Sequence, residues 1–341
     1  MIIITQKDGK DDQRIQNIAN YVKGLGFDVD ISEGAETVVI GIKGDTRALA
    51  EQQFLGFPGV REVHRISIAY KLVSREFRPH HVVTIGDFQM GNGNERPLIV
   101  AGPCAIESAE QAHQTYAEIA QYTDIFRGFL YKPRTSPHDF QGLRRDGIAI
   151  AKEVRKEYGK PMVQEVLHPN DIAVLDEVTD IYQIGTRNMS NFELLQEVGR
   201  TKKPVILKRN YAARLDEWLL AAEYIANEGN MNIVLCARGI RTSAAEGYTR
   251  FSTDMDVIPA VHEKSCLPII FDPSHSTGQA NRVVQASLAA LVWGAQGLEI
   301  DVMPVGYDRK MLKVDGPQAV TTKELEKIAR SAKTAASMYL S

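Results

Sequence analysis

Apolar residues along this chain come in short runs separated by amphipathic stretches, and the rhythm changes near Pro97. Before that point, residues 2–5 form a β-rich run. Residues 11–25 carry Ile15, Ile18, Tyr21, Val22 and Leu25 at helical spacing, and Gly26 supplies a stop. Residues 28–32 and 37–42 alternate on either side of Glu33-Gly34-Ala35-Glu36, which predicts a hairpin. Asp45 is placed to cap a helix over 46–54, and 60–68 predicts a closing strand whose His64 reads as structural. Strand, helix, strand, strand, helix, strand is the split βαβ order of a ferredoxin-like domain, assigned to residues 1–70. Residues 71–96 read as a linker, with a small hairpin at 82–85 and 87–90 and a break at Gly91-Asn92-Gly93-Asn94.

From residue 97 onward, short apolar runs alternate with amphipathic helices. Strands are predicted at 98–101, 125–131, 162–166, 181–184, 205–207, 233–236, 269–271 and 298–302. Helices fit between them, for example at 109–121, 142–158, 191–198, 216–227 and 280–292. This repetition over residues 97–341 matches a (β/α)8 TIM barrel, whose usual size is ~250 residues. A doubly wound sheet is the rival, but it wants a glycine-rich phosphate turn after the first strand, where this chain has Gly102-Pro103-Cys104. The predicted fold class is therefore α/β, a barrel preceded by a small α+β domain.

Composition narrows the partners. Lys and Arg number 40 against 43 Asp and Glu, a net charge of −3, so no global basic field exists to hold nucleic acid or an anionic membrane. Residues 286–295 form one of the longest apolar runs, well short of the ~20 residues that span a bilayer. The opening Met1-Ile2-Ile3-Ile4 is too short for a secretory leader. Cys104, Cys236 and Cys266 suggest no closed disulfide framework, and a cytoplasmic location is expected.

The informative pattern is positional, because each predicted barrel strand ends in distinctive polar residues. In a barrel those ends meet at one mouth, where active sites lie. One group is cationic: Arg127, Lys132, Arg134, Arg187, Lys208 and Arg238. Six such charges repel unless anions or carboxylates compensate, and guanidinium forks suit phosphate and carboxylate. Substrates carrying several negative charges are the natural reading. The second group is Cys104, His275, Asp301 and Asp315, a sulfur, an imidazole and two carboxylates that could hold a divalent metal. No CxxC or HxxxH spacing supports that reading. Cys236 and Cys266 read as structural.

These residues also carry a resemblance. Ala101-Gly102-Pro103-Cys104-Ala105-Ile106-Glu107-Ser108 resembles the AGPCSxES signature of 3-deoxy-D-arabino-heptulosonate 7-phosphate (DAHP) synthases. Tyr131-Lys132-Pro133-Arg134-Thr135-Ser136-Pro137 with Phe140-Gln141-Gly142 is similar to the KPRTSP…FQG segment of that family. Gln183-Ile184-Gly185-Thr186-Arg187-Asn188, Leu207-Lys208-Arg209, Cys236-Ala237-Arg238-Gly239-Ile240-Arg241 and Asp272-Pro273-Ser274-His275-Ser276 follow in family order. The likeness covers essentially the whole chain and implies the type I beta subgroup, with its ferredoxin-like regulatory domain.

The resemblance implies condensation of phosphoenolpyruvate with erythrose 4-phosphate, giving DAHP and phosphate at the first step of the shikimate pathway. It implies one divalent ion (Mn, Fe, Co, Zn or similar), a homo-oligomer (by family a tetramer), and Tyr or Phe as feedback inhibitor at the N-terminal domain. Carried over by position, Arg127, Lys132, Arg187, Lys208 and Arg238 hold phosphoenolpyruvate, with Glu165 nearby. Arg134, Thr135 and Ser136 hold the aldose phosphate. Cys104, His275 and Asp315 are metal ligands, and Lys132, His275 and Asp315 are the catalytic candidates. The chain departs from the pattern at the fourth ligand, where Asp301 stands in place of glutamate. Glu299 is a rival there, Asp308 rivals Asp315, Ala237 replaces a frequent glutamate, and Phe129-Leu130 replaces a smaller pair. Alternative readings are a related synthase using another aldose phosphate, a Schiff-base aldolase with Lys208 or Lys132 as nucleophile, and a non-catalytic sensor.

Overall fold

Period-two alternation gives the first strands two apolar faces, and both are covered. In this computed structural model, residues 1–6, 13–34, 36–44, 46–65, 69–91, 96–243 and 250–340 are described. Residues 11–12, Ala35, Asp45 and residues 66–68 and 92–94, which figure in the predicted elements, lie outside that set. The chain divides into two units, Met1–Pro79 and His80–Ser341. The first contains β1 (Ile2–Gln6), α1 (Gln13–Gly24), β2 (Asp28–Glu33), β3 (Thr37–Lys43), α2 (Gln52–Leu55) and β4 (Val60–His64). These strands form an antiparallel sheet of order β2-β3-β1-β4, the ferredoxin-like arrangement. One sheet face, with Ile3, Val38, Ile40 and Ile42, packs on Ile15, Ile18 and Val22 of α1 and on Phe54. On the other face Phe77 packs against Ile2 and Val39, directly over Gly41, where an added Cβ would run into its ring. The helix expected over 46–54 is split into a short 3-10 turn and α2. Leu49 and Phe54 are both buried but five residues apart, off helical spacing, so the chain re-aims between them.

The second unit begins with a hairpin, β5 (Val83–Ile85) and β6 (Phe88–Met90). The barrel follows: β7 (Leu98–Gly102), α3 (Ala109–Ile119), β8 (Ile125–Arg127), α4 (Ile148–Tyr158), β9 (Met162–Glu165), α5 (Pro169–Leu175), β10 (Ile181–Ile184) and α6 (Phe192–Arg200). It continues with β11 (Val205–Lys208), α7 (Leu215–Asn227), β12 (Ile233–Ala237), α8 (Val257–Lys264), β13 (Ile269–Phe271), α9 (Pro273–Thr277), α10 (Ala280–Val292), β14 (Gly297–Asp301) and α11 (Thr322–Leu340). Strands β7 to β14 close into a parallel barrel in sequential order.

The interior is built in two layers by the same alternation. Ile125, Val163, Ile181, Ile206, Val234 and Ile270 form one apolar cluster with Val83, Ile85 and Met90 of the hairpin, which caps the N-terminal end of the barrel. Two residues further along each strand stand Arg127, Glu165, Gln183, Lys208, Cys236 and Asp272. An apolar lower layer therefore supports a largely polar upper one.

Strand β8 ends at Arg127, earlier than the expected 125–131. Gly128 breaks it: a Cβ there would meet the Tyr116 hydroxyl, which donates to the Arg127 carbonyl at 2.8 Å. The helix expected from residue 142 begins at Ile148 after a 3-10 turn. Gly142 has φ +90°, and an added Cβ would press on the Leu130 carbonyl. Backbone bonds from Lys132 N–H to Gln141 (3.0 Å) and from Arg144 N–H to Leu130 (2.8 Å) pin this turn to the segment after β8. Gly142→Ala is therefore expected to cost ~1–3 kcal/mol. Urea denaturation measures it, and an unchanged unfolding midpoint would contradict the clamp.

Candidate functional site

At the C-terminal ends of the strands a cavity of about 570 Å³ opens, lined by Lys132, Arg134, Thr135, Glu165, Arg187, Lys208, Arg238, His275 and Asp315. Arg127, Cys104 and Asp301 are buried below or beside it. Ser136 is not on the lining, and its Oγ accepts from the His138 N–H at 3.2 Å within a turn.

Local chain chemistry positions these groups. Gly102 has φ +154°, and a Cβ there would collide with the Arg127 carbonyl, so glycine lets β7 turn closely past β8 into Pro103 and Cys104. Asp272-Pro273-Ser274-His275 is a helix start: Asp272 caps α9 by accepting from His275 N–H at 2.8 Å, and Pro273 takes the first turn. Ser274 Oγ then accepts from Asp301 N–H at 2.9 Å, tying the end of β14 to the same turn.

Carboxylates account for much of the cationic charge. Glu299 Oε1 lies 3.1 Å from Lys208 Nζ and 3.3 Å from Arg127 Nε, while Asp272 pairs with Lys208 and Asp301 with Arg127. Turned to its satisfied orientation, the Gln183 amide donates to both Glu299 oxygens, at 2.9 and 3.1 Å. Glu299 is thus engaged in the cation layer and not in the donor cluster around His275. Burial works against the charge on Lys208, but Asp272 and Glu299 outweigh it and hold the ammonium protonated. Lys132 is raised in the same way by Cys104, Glu165 and Asp315 against burial, with Glu165 Oε2 at 3.7 Å.

Arg238 differs. It is 5 % exposed, its Nη1 has no hydrogen-bond partner, and its guanidinium lies over the Phe251 ring at 4.1 Å. Burial lowers it to about 10, with repulsion from Arg250 and Arg187 acting in the same direction and Asp272 opposing. Such a buried cation facing a cavity calls for an anion. Arg187 reaches across the mouth, donating to Thr135 Oγ1 at 2.9 Å and to the Pro133 carbonyl at 3.5 Å. Arg134 is held at the rim by Asp139 at 3.3 Å and by the Lys313 carbonyl at 3.2 Å.

The donor atoms of Cys104, His275, Asp301 and Asp315 all lie within 4.8 Å of one another. Cys104 Sγ is 3.1 Å from Asp315 Oδ2 and 3.8 Å from His275 Nε2, and Asp315 Oδ2 is 3.4 Å from that nitrogen. Gln318 Nε2 donates to Asp301 Oδ2 at 2.5 Å. Burial opposes ionisation of Cys104, yet Lys132 and Arg127 leave the thiol below its ordinary value. Asp315 is likewise held well below the carboxylate range, by His275 and Lys132 against burial. His275 is pushed up to about 9, chiefly by Asp272 against burial. Within this spacing, soft sulfur with imidazole and carboxylates is a donor set for a divalent transition ion. Asp308, the rival for the last position, instead accepts from Lys310 N–H at 3.0 Å.

Sequence reading assigned no role to Asp272, Gln183, Arg241 or Arg250. The first two were detectable as the i+2 partners of the apolar strand positions. Arg241 stacks over Tyr211 at 4.4 Å, and Arg250 reaches Asp315 Oδ1 at 3.4 Å. Both come from the segment after β12, where no periodic signal marks them.

Comparison with known proteins follows the division of the chain. Residues 66–341 match the DAHP synthetase I family, and residues 1–68 match the DAHP synthase ferredoxin-like domain. A phospho-2-dehydro-3-deoxyheptonate aldolase of Thermotoga maritima is 41 % identical over 305 residues, 89 % of each chain. A 2-dehydro-3-deoxyphosphooctonate aldolase of Francisella tularensis is 30 % identical over 255 residues, 69 % of this chain and 89 % of that one. A crystal structure of the Thermotoga maritima phospho-2-dehydro-3-deoxyheptonate aldolase superposes with a TM-score of 0.75 at 38 % identity, covering 98 % of this chain and 97 % of that one. Among the described residues no helix is long and apolar enough to cross a membrane. Matched by one model across its barrel and by the other across its first unit, the chain belongs to the DAHP synthetase I family.

Proposed function

We propose that this protein condenses phosphoenolpyruvate with erythrose 4-phosphate, releasing DAHP and phosphate, and that it requires a divalent metal ion. The observation that carries the reading is Arg238, a buried cation without a carboxylate partner among the described residues, facing a cavity beside the cluster of Cys104, His275, Asp301 and Asp315. Lys208, Arg187 and Arg238 bind the phosphate and carboxylate of phosphoenolpyruvate, while Thr135 and Arg134 hold the aldose phosphate. Held so, C3 of the enol faces the aldehyde carbon; the new C–C bond leaves C2 electron-poor, water adds there, and phosphate departs by C–O cleavage. Cys104, His275, Asp301 and Asp315 would hold the ion, which when bound supplies Lewis-acid polarisation and orientation. Lys132 Nζ, held protonated, anchors anionic oxygen beside Glu165.

A Schiff base needs a neutral amine. Lys132 and Lys208 both lie above the ordinary lysine value through their carboxylate and thiol neighbours, which argues against the aldolase reading. The KPRTS segment and the 41 % identity to a heptonate aldolase over 89 % of the chain favour the four-carbon aldose phosphate over five-carbon ones. The first unit is assigned to feedback control by Tyr or Phe.

Phosphate release is expected with phosphoenolpyruvate and erythrose 4-phosphate together, and far less with five-carbon aldose phosphates; the reverse preference would shift the assignment to the octulosonate reaction. Dialysis against a chelator should abolish turnover and added Mn²⁺ should restore it. Full activity after rigorous chelation would refute the metal requirement. Arg238→Met breaks no carboxylate pair, so it should fold and raise the KM for phosphoenolpyruvate about 10- to 100-fold, the worth of a charged hydrogen bond. An unchanged KM would remove Arg238 from the anion site. Deleting residues 1–70 should relieve inhibition by Tyr or Phe while phosphate release persists. Equal inhibition of the shortened protein would sink that assignment.

A further inference from the structure

Asp315 reaches the donor cluster from an irregular segment between β14 and α11, and its own backbone lies at φ 51°, in the left-handed region. That conformation is unfavourable for a residue with a Cβ. The two residues before it are held from several sides. Glu107 Oε2 accepts from the Lys313 N–H at 2.9 Å, and Glu107 Oε1 accepts from the Val314 N–H at 3.0 Å. Val314 packs against Cys104, Ala105 and Phe140. Arg134 takes the Lys313 carbonyl at 3.2 Å. Glu107 itself is steadied by its backbone N–H, which donates to Gln111 Oε1 at 3.2 Å, immediately before the Ser108 cap of α3.

The turn that supplies Cys104 therefore also grips the segment that supplies Asp315. A carboxylate suits this task because its two oxygens face two successive N–H donors. An amide in its place would keep one acceptor and turn an NH2 group toward the other N–H.

We infer that Glu107 is a positioning residue for the metal cluster, fixing the backbone at 313–314 so that Asp315 meets Cys104 and His275. The inference rests on the metal reading proposed above. Losing such an outer partner weakens metal affinity about 10- to 100-fold.

The test uses the full chain, stripped with a chelator and titrated with Cd²⁺ alone while the thiolate-to-cadmium absorption band is followed. Glu107→Gln should bind Cd²⁺ about 10- to 100-fold more weakly than wild type, with the near-UV circular dichroism of the stripped protein unchanged. Glu110→Gln, an exposed acid in the first turn of α3, should bind as wild type does. Equal affinity in Glu107→Gln overturns the inference. An equal loss in Glu110→Gln, or collapse of the near-UV signal in Glu107→Gln, overturns it too. No cadmium band in the wild-type protein overturns the metal reading itself, and this inference with it.

Discussion

One carboxylate, shared between two buried cations, underlies the upper half of the barrel. Glu299 touches both Arg127 and Lys208, and all three side chains are essentially removed from water. Burying a lone ion costs several kcal/mol even after relaxation. The barrel interior can hold this layer because Asp272, Glu299 and Asp301 are interleaved with the cations, and the Gln183 amide meets the remaining lone pairs of Glu299. The arrangement is also preorganised. Lys208 is already aimed and protonated, so an anion entering the cavity meets dipoles and charges that need little reorganisation.

That layer stands on an apolar one, and the division of labour follows strand by strand. Branched aliphatic residues fill the lower barrel, and of the mostly polar residues two positions later Glu165, Gln183 and Lys208 line the cavity. Groups on strands are placed by the rigid sheet. Groups on loops need their own fixings, such as the φ +90° turn at Gly142 for the Lys132–Thr135 segment and the Glu107 fork before Asp315. Rim residues such as Arg134 and Arg187 are held by bonds between loops rather than by the barrel itself.

Much of this was legible in the sequence, for a physical reason. Parallel strands buried on both faces give short apolar runs, and the residue at which each run turns polar marks the mouth. That rule put Glu165, Arg187, Lys208, Arg238 and His275 at the mouth, where they line the cavity, and it also put Arg127 there, which instead lies buried off the lining. It named Asp301 with Glu299 as rival, since both point inward from β14 and differ in height, and their partners distinguish them: Gln318 and the His275 cluster for one, Lys208 and Arg127 for the other. The early end of β8 was hidden because Gly128 yields to the Tyr116 hydroxyl, a contact between distant elements. Ser136 sits in a run whose neighbours face the cavity, yet the turn it caps directs its Oγ to His138 N–H.

The small hairpin of β5 and β6 has a consequence for traffic. Val83, Ile85 and Met90 thicken an apolar plug that the strand residues Ile125, Val163, Ile181, Ile206, Val234 and Ile270 already form. The cavity accordingly faces one way, toward the rim where Arg187 bridges to the 133–135 segment, and whatever binds there and whatever leaves passes the same side chains.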